Sequence, residues 1–422
     1  HRLQPAQAHP ARGATPGTKM AASRGRSRAM DAALRALESV TAQDPGKRGV
    51  GHLFLPGAFV GAACVLAASK HPLVLTGFPC RLADDPPTEN DGPAGAAAIV
   101  RLCARLGKSV TVATDACNED VVSKVVQLAW EQGQADSLAA GRGEASGSAL
   151  TMRAVAAAAA GDEADAARAL RESRAVATGC DAAIAIERAG RAADGSYRTM
   201  RGLRMDHIVA PLGAAAEAVA AARDGSAGPL SCRVVGVGDG GNEMGMGAVV
   251  DQVRAHIALG ETVACVEECD FLVAAGVSNW GGWALCAGAE ALFRELARDE
   301  SAYAAADAAA AEAGMSADAA AAAVPAAPAT PGRPGLALSP DEAIAAVCTS
   351  EEAARCAGLV AGSAPGVLVP SEAEEVAVMA AAAAAGARDG ITGDQSGTMC
   401  DGMAWSEHAA VLHRLRALGA PV

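Results

Sequence analysis

Aromatic side chains are scarce in this sequence: 4 Trp, 2 Tyr and 5 Phe make up 3% of its 422 residues. None stands between Trp130 and Tyr197 or between Tyr303 and Trp405, so a packed core is least expected in those two intervals. The 12 cysteines include no CxxC pair, and several (Cys64, Cys103, Cys265) sit inside apolar runs. They read as reduced, buried thiols rather than a disulfide or zinc framework. Cys265 and Cys269 follow His256, but that spacing lacks the second ligand pair of a structural zinc site. Long apolar runs are missing too. Residues 53–68, LFLPGAFVGAACVLAA, are 16 uncharged residues broken by Pro56, Gly57 and Gly61 and closed by Ser69, Lys70 and His71. That is short of the ~20 residues a membrane span needs, so a buried helix leading into a strand is expected and no membrane span.

Basic charge is in deficit. With 35 Lys and Arg against 48 Asp and Glu the net is −13, which argues against a nucleic-acid partner or an anionic membrane surface. The start runs the other way: residues 1–30 hold Arg2, Arg12, Lys19, Arg24, Arg26 and Arg28 and no acid. Such a stretch reads as an organelle transit peptide or a disordered basic leader. The expected division is a leader over 1–48 and one α/β domain over 49–422.

Alanine carries most of the hydrophobic half of the composition. Residues 138–175 and 302–338 are rich in Ala, Gly, Ser and Pro, with few large side chains to offset ordering entropy. Both are expected to be insertions. Elsewhere a short apolar run, a polar or glycine-rich turn and a helical segment recur. The runs are 72–78 (PLVLTGF), 109–115 (SVTVATD), 181–187 (DAAIAIE), 233–239 (RVVGVGD) and 271–279 (FLVAAGVSN). Unbroken apolar runs of this length suit strands buried on both faces, with connections long enough for crossover helices. The expected fold class is α/β, a mostly parallel sheet flanked by helices, with ligands at the carboxyl ends of the strands.

Those strand ends carry the chemistry. After the first run comes a loop with Glu89 and Asp91 before Gly92-Pro93, which also reads as an ordinary helix start. The second ends at Asp115 and the third at Glu187-Arg188. The fourth runs into Gly236-Val237-Gly238-Asp239-Gly240-Gly241-Asn242-Glu243-Met244-Gly245. These glycines formally satisfy GxGxxG, yet Asp239 and Glu243 would face a pyrophosphate with negative charge. Paired acids with an amide better suit a divalent metal, Mg or Mn, or a substrate ammonium, with Asp239 and Glu243 as ligands. A tight structural turn is the alternative. The fifth run ends at Ser278-Asn279, whose free backbone N–H groups could hold a carboxylate or serve only as a cap. Gly107-Lys108-Ser109 is no Walker loop, because Leu102 replaces its first glycine; no HExxH or GxSxG occurs. Acids converging on one sheet edge, with Arg188, Arg201 and Asn279 as counter-groups, fit a ligand bearing both ammonium and carboxylate.

The segments TGFPC, TENDGPAGAAAIVRLCARLGKSVTVATD, AIERAGRAADGSYRTMRG, VGVGDGGNEMGMG, CDFLVAAGVSNWGGWAL and DGITGDQSGTMCDGMAWSEHAAVLHRLRAL together resemble the C-terminal domain of the D-glutamate cyclase family. The resemblance runs from about residue 50 to about residue 420. It implies a hydro-lyase that converts D-glutamate to 5-oxo-D-proline and water, in the mitochondrial matrix, with cytoplasm or plastid as alternatives. It also implies an N-terminal hydro-lyase-like domain in mitochondrial members, which no segment of this sequence is expected to supply. On the chemistry of cyclisation, Asp239 or Glu243 is expected as base or metal ligand and Asn279 as oxyanion donor. Arg188 or Arg201 would hold the α-carboxylate, and Glu89, Asp91, Asp115, Glu187, Asn242 and Ser278 would line the substrate. The alternatives are a non-catalytic module binding an amino acid or phosphometabolite, and a metal-dependent phosphohydrolase. Oligomeric state is open between monomer and homo-oligomer.

Overall fold

Apolar runs become strands of one sheet when both faces can be covered, and here both are. This computed structural model describes residues 28–142, 147–298 and 337–419. Its sheet holds β1 (Pro72–Gly77), β2 (Val110–Asp115), β3 (Leu150–Val155), β4 (Ala182–Arg188), β5 (Arg233–Gly238) and β6 (Phe271–Ala274). The strands run parallel in the order β3-β2-β1-β4-β5-β6. Alternation divides their side chains between two cores. Val74, Ile184, Ile186, Val235 and Val237 face one, and Leu73, Leu75, Ala183, Ala185 and Val234 the other.

The larger core lies under α1 (Arg28–Thr41), α2 (Ala58–Ala68), α3 (Pro93–Leu106) and α4 (Glu119–Ala139). The opposite face is covered by α5 (Glu163–Val176) and α6 (Gly213–Ala221), through Val176, Ala215 and Val219. After α7 (Val250–His256), α8 (Ser278–Ala297) returns to the larger core with Trp280, Trp283 and Phe293 buried. The C-terminal helices α9 (Pro340–Cys348), α10 (Glu351–Val360), α11 (Glu372–Ala384) and α12 (Trp405–Leu418) pack outside it, the last preceded by the short hairpin of β7 (Met399–Cys400) and β8 (Met403–Ala404). Local sequence defines several of these ends: Pro93 opens α3, Gly107 closes it in the left-handed region, and Ser339 and Ser371 head α9 and α11 with capping boxes.

Four expectations are corrected. The stretch 28–48 is no leader: Leu34, Leu37 and Val40 of α1 are buried in the larger core; residues 1–27 lie outside the described residues. The segment 138–175 is no insertion, because it supplies β3 and α5. Its strand escaped notice because β3 is an edge strand, paired only with β2 and largely half-buried, so Thr151 and Arg153 are tolerated in it. Where they are described, the ring-poor intervals do pack, the first using Val155 and Val176 and the second Ile344, Val347, Leu368, Val378 and Met379. The second expected insertion, 302–338, falls almost wholly outside the described residues. The fifth run is strand only to Ala274, since Gly276 N–H already donates to Thr41 O of α1.

Candidate active site

Crossovers leave β1 and β4 in opposite directions, β1 toward β2 and β4 toward β5, which opens a crevice between their carboxyl ends. The loop after β1 brings Asp91 there, β4 brings Glu187 one residue before its end, and the loop after β5 brings Asp239. One carboxylate oxygen from each of these three buried residues lies within 4.8 Å of the others. The backbone is shaped for this. β4 bulges against β1 so that Gly77 pairs with Arg188, and Glu187 takes φ 42, a strained conformation for a non-glycine residue. Gly92 takes φ +94, and a Cβ there would lie 2.5 Å from Glu187 Cβ and 3.1 Å from Thr76 Oγ1.

Asp91 is anchored from α8. Its Oδ2 accepts from Ser278 N–H at 2.9 Å and its Oδ1 from Asn279 N–H at 2.8 Å and Gly92 N–H at 2.9 Å. The helix N-terminus is therefore filled by Asp91, not left free for a substrate carboxylate. Glu187 Oε2 accepts from Ser278 Oγ–H at 2.5 Å. Around these acids stand Glu89, Glu243 and Asp401. Burial, then the neighbouring negative charges, pushes Glu89, Asp91 and Glu187 well above the ordinary carboxylate range. Asp401 is pushed up to about 10 by burial and Asp239, against the pull of Arg48. So many carboxyls cannot all ionise together in low dielectric unless a cation joins them.

Several expected roles change. Glu243 accepts from the N–H groups of Asp239, Gly240 and Gly241 at 3.1, 2.6 and 2.6 Å. It shapes the glycine loop rather than joining the three-carboxylate set, and burial pushes it up to about 7. Asn279 Oδ1 accepts from Gly92 N–H at 3.0 Å and Gly95 N–H at 2.7 Å, while its Nδ2 donates to Asn90 O. That side chain caps α3 and is not available as an oxyanion donor. Asn242 Nδ2 donates to Arg198 O at 2.8 Å, holding the 198–204 turn against the glycine loop. Arg188 and Asp115 form a buried pair of their own, in which Arg188 also donates to Gly77 O and Ala210 O. This clamp ties β2, β4 and the 205–212 loop together and spends the arginine. Arg201 is exposed on the turn after Arg198. Glu89, half-buried at the rim, accepts from the Cys80 thiol.

The cation that does reach the acids was missed in the sequence. Arg48 Nη2 donates to Asp239 Oδ2 at 2.7 Å and to Gly276 O at 3.0 Å, and Nη1 to Asp401 Oδ1 at 2.8 Å. No local motif marks Arg48, because its partners are 191 and 353 residues away. Asp401 lies within the DGMAW segment, and its φ of 53 is a second strained backbone position at the site.

Fold and site define a doubly wound α/β protein with a cluster of buried carboxylates at its topological switch point. Within that class the chain belongs to the family described as D-glutamate cyclase-like, C-terminal, which it matches over residues 37–416. Over 254 residues it is 39% identical to the mitochondrial D-glutamate cyclase of Homo sapiens, a match covering 60% of this chain and 38% of that relative. Among the described residues no helix is long and apolar enough to cross a membrane.

Proposed function

We propose that this chain is a D-glutamate cyclase-like hydro-lyase acting on D-glutamate at the Asp91, Glu187 and Asp239 pocket, with a divalent cation, Mg or Mn, as cofactor. The single observation that carries the reading is the convergence of those three buried carboxylates at the switch point. Thr76 Oγ1, buried beside Glu187 with no hydrogen-bond partner, offers such an ion a further oxygen. When bound, the cation supplies charge neutralisation at the carboxyl under attack.

In the reaction the α-nitrogen bonds to the carbon of the γ-carboxylate and one oxygen of that carboxylate leaves. The substrate ammonium gives up two protons: one reaches a carboxylate of the site to free the nucleophile, and both finally depart with the oxygen as water. Glu187 suits the base, because Asp91 is held by three backbone N–H groups and Asp239 by Arg48, whereas Glu187 accepts from the Ser278 hydroxyl. We further propose a mitochondrial location, in keeping with the relative's name and the acid-free basic start of the sequence.

Purified full chain incubated with D-glutamate and Mn²⁺ should yield 5-oxo-D-proline by chiral chromatography. Glu187→Gln, which preserves the hydrogen-bond acceptor for Ser278, should lower turnover by at least ~100-fold. Binding of D-glutamate without product from the wild type would refute the hydro-lyase reading in favour of a binding module. The clustered acids also suit phosphate-ester hydrolysis, and metal-dependent phosphate release without 5-oxoproline would identify that chemistry instead.

A further inference from the structure

We infer that Arg48 is the anion-receiving residue of this pocket, and that a cation bound at Asp91, Glu187 and Asp239 releases it to the substrate's carboxylate. The inference rests on the cation reading above and adds an order of binding to it.

The Arg48 side chain springs from a fixed point. Asp44 accepts from Arg48 N–H at 2.9 Å and from Gly49 N–H at 2.8 Å, pinning the turn after α1. From there the guanidinium crosses to acids on two other loops. Its side chain is 29% exposed while those of Asp239 and Asp401 are 6% and 9% exposed, so it forms the rim and they form the floor. Among the described residues no other arginine or lysine pairs with an acid of the cluster. Arg188 is committed to Asp115 at 1% exposure. Burial opposes the Arg48 charge, but Asp239 and Asp401 outweigh it and hold the guanidinium firmly protonated.

Asp239 is shared, and that sharing carries the argument. It is one of the three carboxylates that could hold a cation, and it is also a partner of Arg48. A cation placed there draws on the charge that retains Arg48 and sets a second positive charge close to the guanidinium. Both effects loosen the Arg48–Asp239 pair. Arg48 then presents a planar fork suited to two oxygens of a carboxylate, at the mouth of the pocket and beside the cation. Before cation binding, the same fork neutralises acids that would otherwise face one another unscreened. Arg48 is thus a resident counter-charge in the empty state and a specificity residue for an anionic group in the loaded one. Coupling of this kind is reciprocal, so the anion must also tighten the cation.

The test uses Mn²⁺ and glutarate, a dicarboxylate that has no amine and cannot cyclise, titrated calorimetrically into the metal-stripped full chain. In the wild type, saturating Mn²⁺ should tighten glutarate by at least ~10-fold. In Arg48→Met, Mn²⁺ should bind as tightly as in the wild type or more so, because its competitor for Asp239 is gone, while the effect of Mn²⁺ on glutarate should vanish. Arg48→Lys keeps the charge, so it tests the same point should the Met variant fail to fold; it should weaken glutarate by more than ~5-fold with Mn²⁺ affinity kept. Unchanged Mn²⁺-dependent glutarate binding in the variants would overturn the role of Arg48 and leave the cation site standing. Weaker Mn²⁺ binding in Arg48→Met would show that the arginine props the site rather than competes for it, and would also overturn the inference. Absence of Mn²⁺ binding to the wild type would overturn the cation reading itself.

Discussion

Asn279 shows how one side chain can be placed correctly at a site and still do something other than the chemistry its type suggests. An amide at a strand end beside acids invites an oxyanion role, but its carbonyl oxygen is bonded to Gly92 and Gly95 N–H, two of the donors left open at the start of α3. Asn279→Ala leaves Gly95 N–H unpaired in a buried setting and Gly92 N–H with Asp91 alone. It should lower stability by about 1–2 kcal/mol in denaturant titration, with activity falling through a displaced Asp91 loop. An equally stable variant that had lost only turnover would return Asn279 to the reaction. At this scale the acids were legible: Glu187 and Asp239 stand where an apolar run stops, and Asp91 in the loop that follows one. Arg48 was not, since nothing within its own neighbourhood of sequence announces a partner beyond residue 200. Glu243 was legible as a buried acid but not as a scaffold of the glycine loop, because its partners are backbone amides that any sequence would supply.

Among the elements, the pairing of α3 with α8 sets the width of the crevice, since Asp91 leads into one and Ser278 begins the other. Their close approach depends on glycine. A Cβ on Gly282 would lie 2.5 Å from Gly95 O, and one on Gly95 would lie 2.9 Å from Asn279 Cα. Both obstacles are backbone atoms, which cannot rotate aside. Gly282→Ala should therefore cost about 2–3 kcal/mol, read as a lower melting temperature, and should weaken Mn²⁺ binding as the helices part. A melting temperature equal to the wild type would show that the helices slide without penalty. Five of the six strands could be read from their apolar runs because they are buried on both faces. The exception, β3, is largely half-buried, whereas β6, the other edge strand, is buried throughout, so β3 alone carries a weak signal. The boundary of the leader failed for a related reason. Basic residues before α1 hid an amphipathic helix whose buried side is Leu34, Leu37 and Val40.

Over the whole molecule, buried acids outside the pocket make stability depend on pH. Glu375, a buried residue of α11, is pushed up to about 8 by burial, with Trp283 and Arg101 opposing the shift. A carboxyl whose folded pKa lies above its unfolded one binds more protons folded than unfolded. Its destabilising effect is absent below the unfolded value, near 4.5, grows as pH rises, and levels off above about 8. Metal-stripped protein should accordingly lose stability between pH 5 and pH 8 by about a few kcal/mol, and Glu375→Gln should flatten that slope in denaturant titrations at each pH. An identical slope in the variant would place the pH dependence elsewhere, with Glu38, pushed up to about 7 by burial, as the next group to replace.

Sequence by itself determined the class of fold, the edge of the sheet on which chemistry gathers, and the family, because each is written in local patterns: apolar runs bounded by turns, acids at their ends, and motifs in a given order. Only the tertiary structure decided which of those acids meet. Asp91, Glu187 and Asp239 converge because β1, β4 and β5 are neighbours in the sheet, whereas Asp115 ends β2 one strand further out and is neutralised by Arg188. The same holds for Arg48, brought to Asp239 and Asp401 by the packing of α1 on the larger core. A charge's role depends on what stands within a few ångströms of it, and in a chain wound this way those neighbours lie tens to hundreds of residues apart.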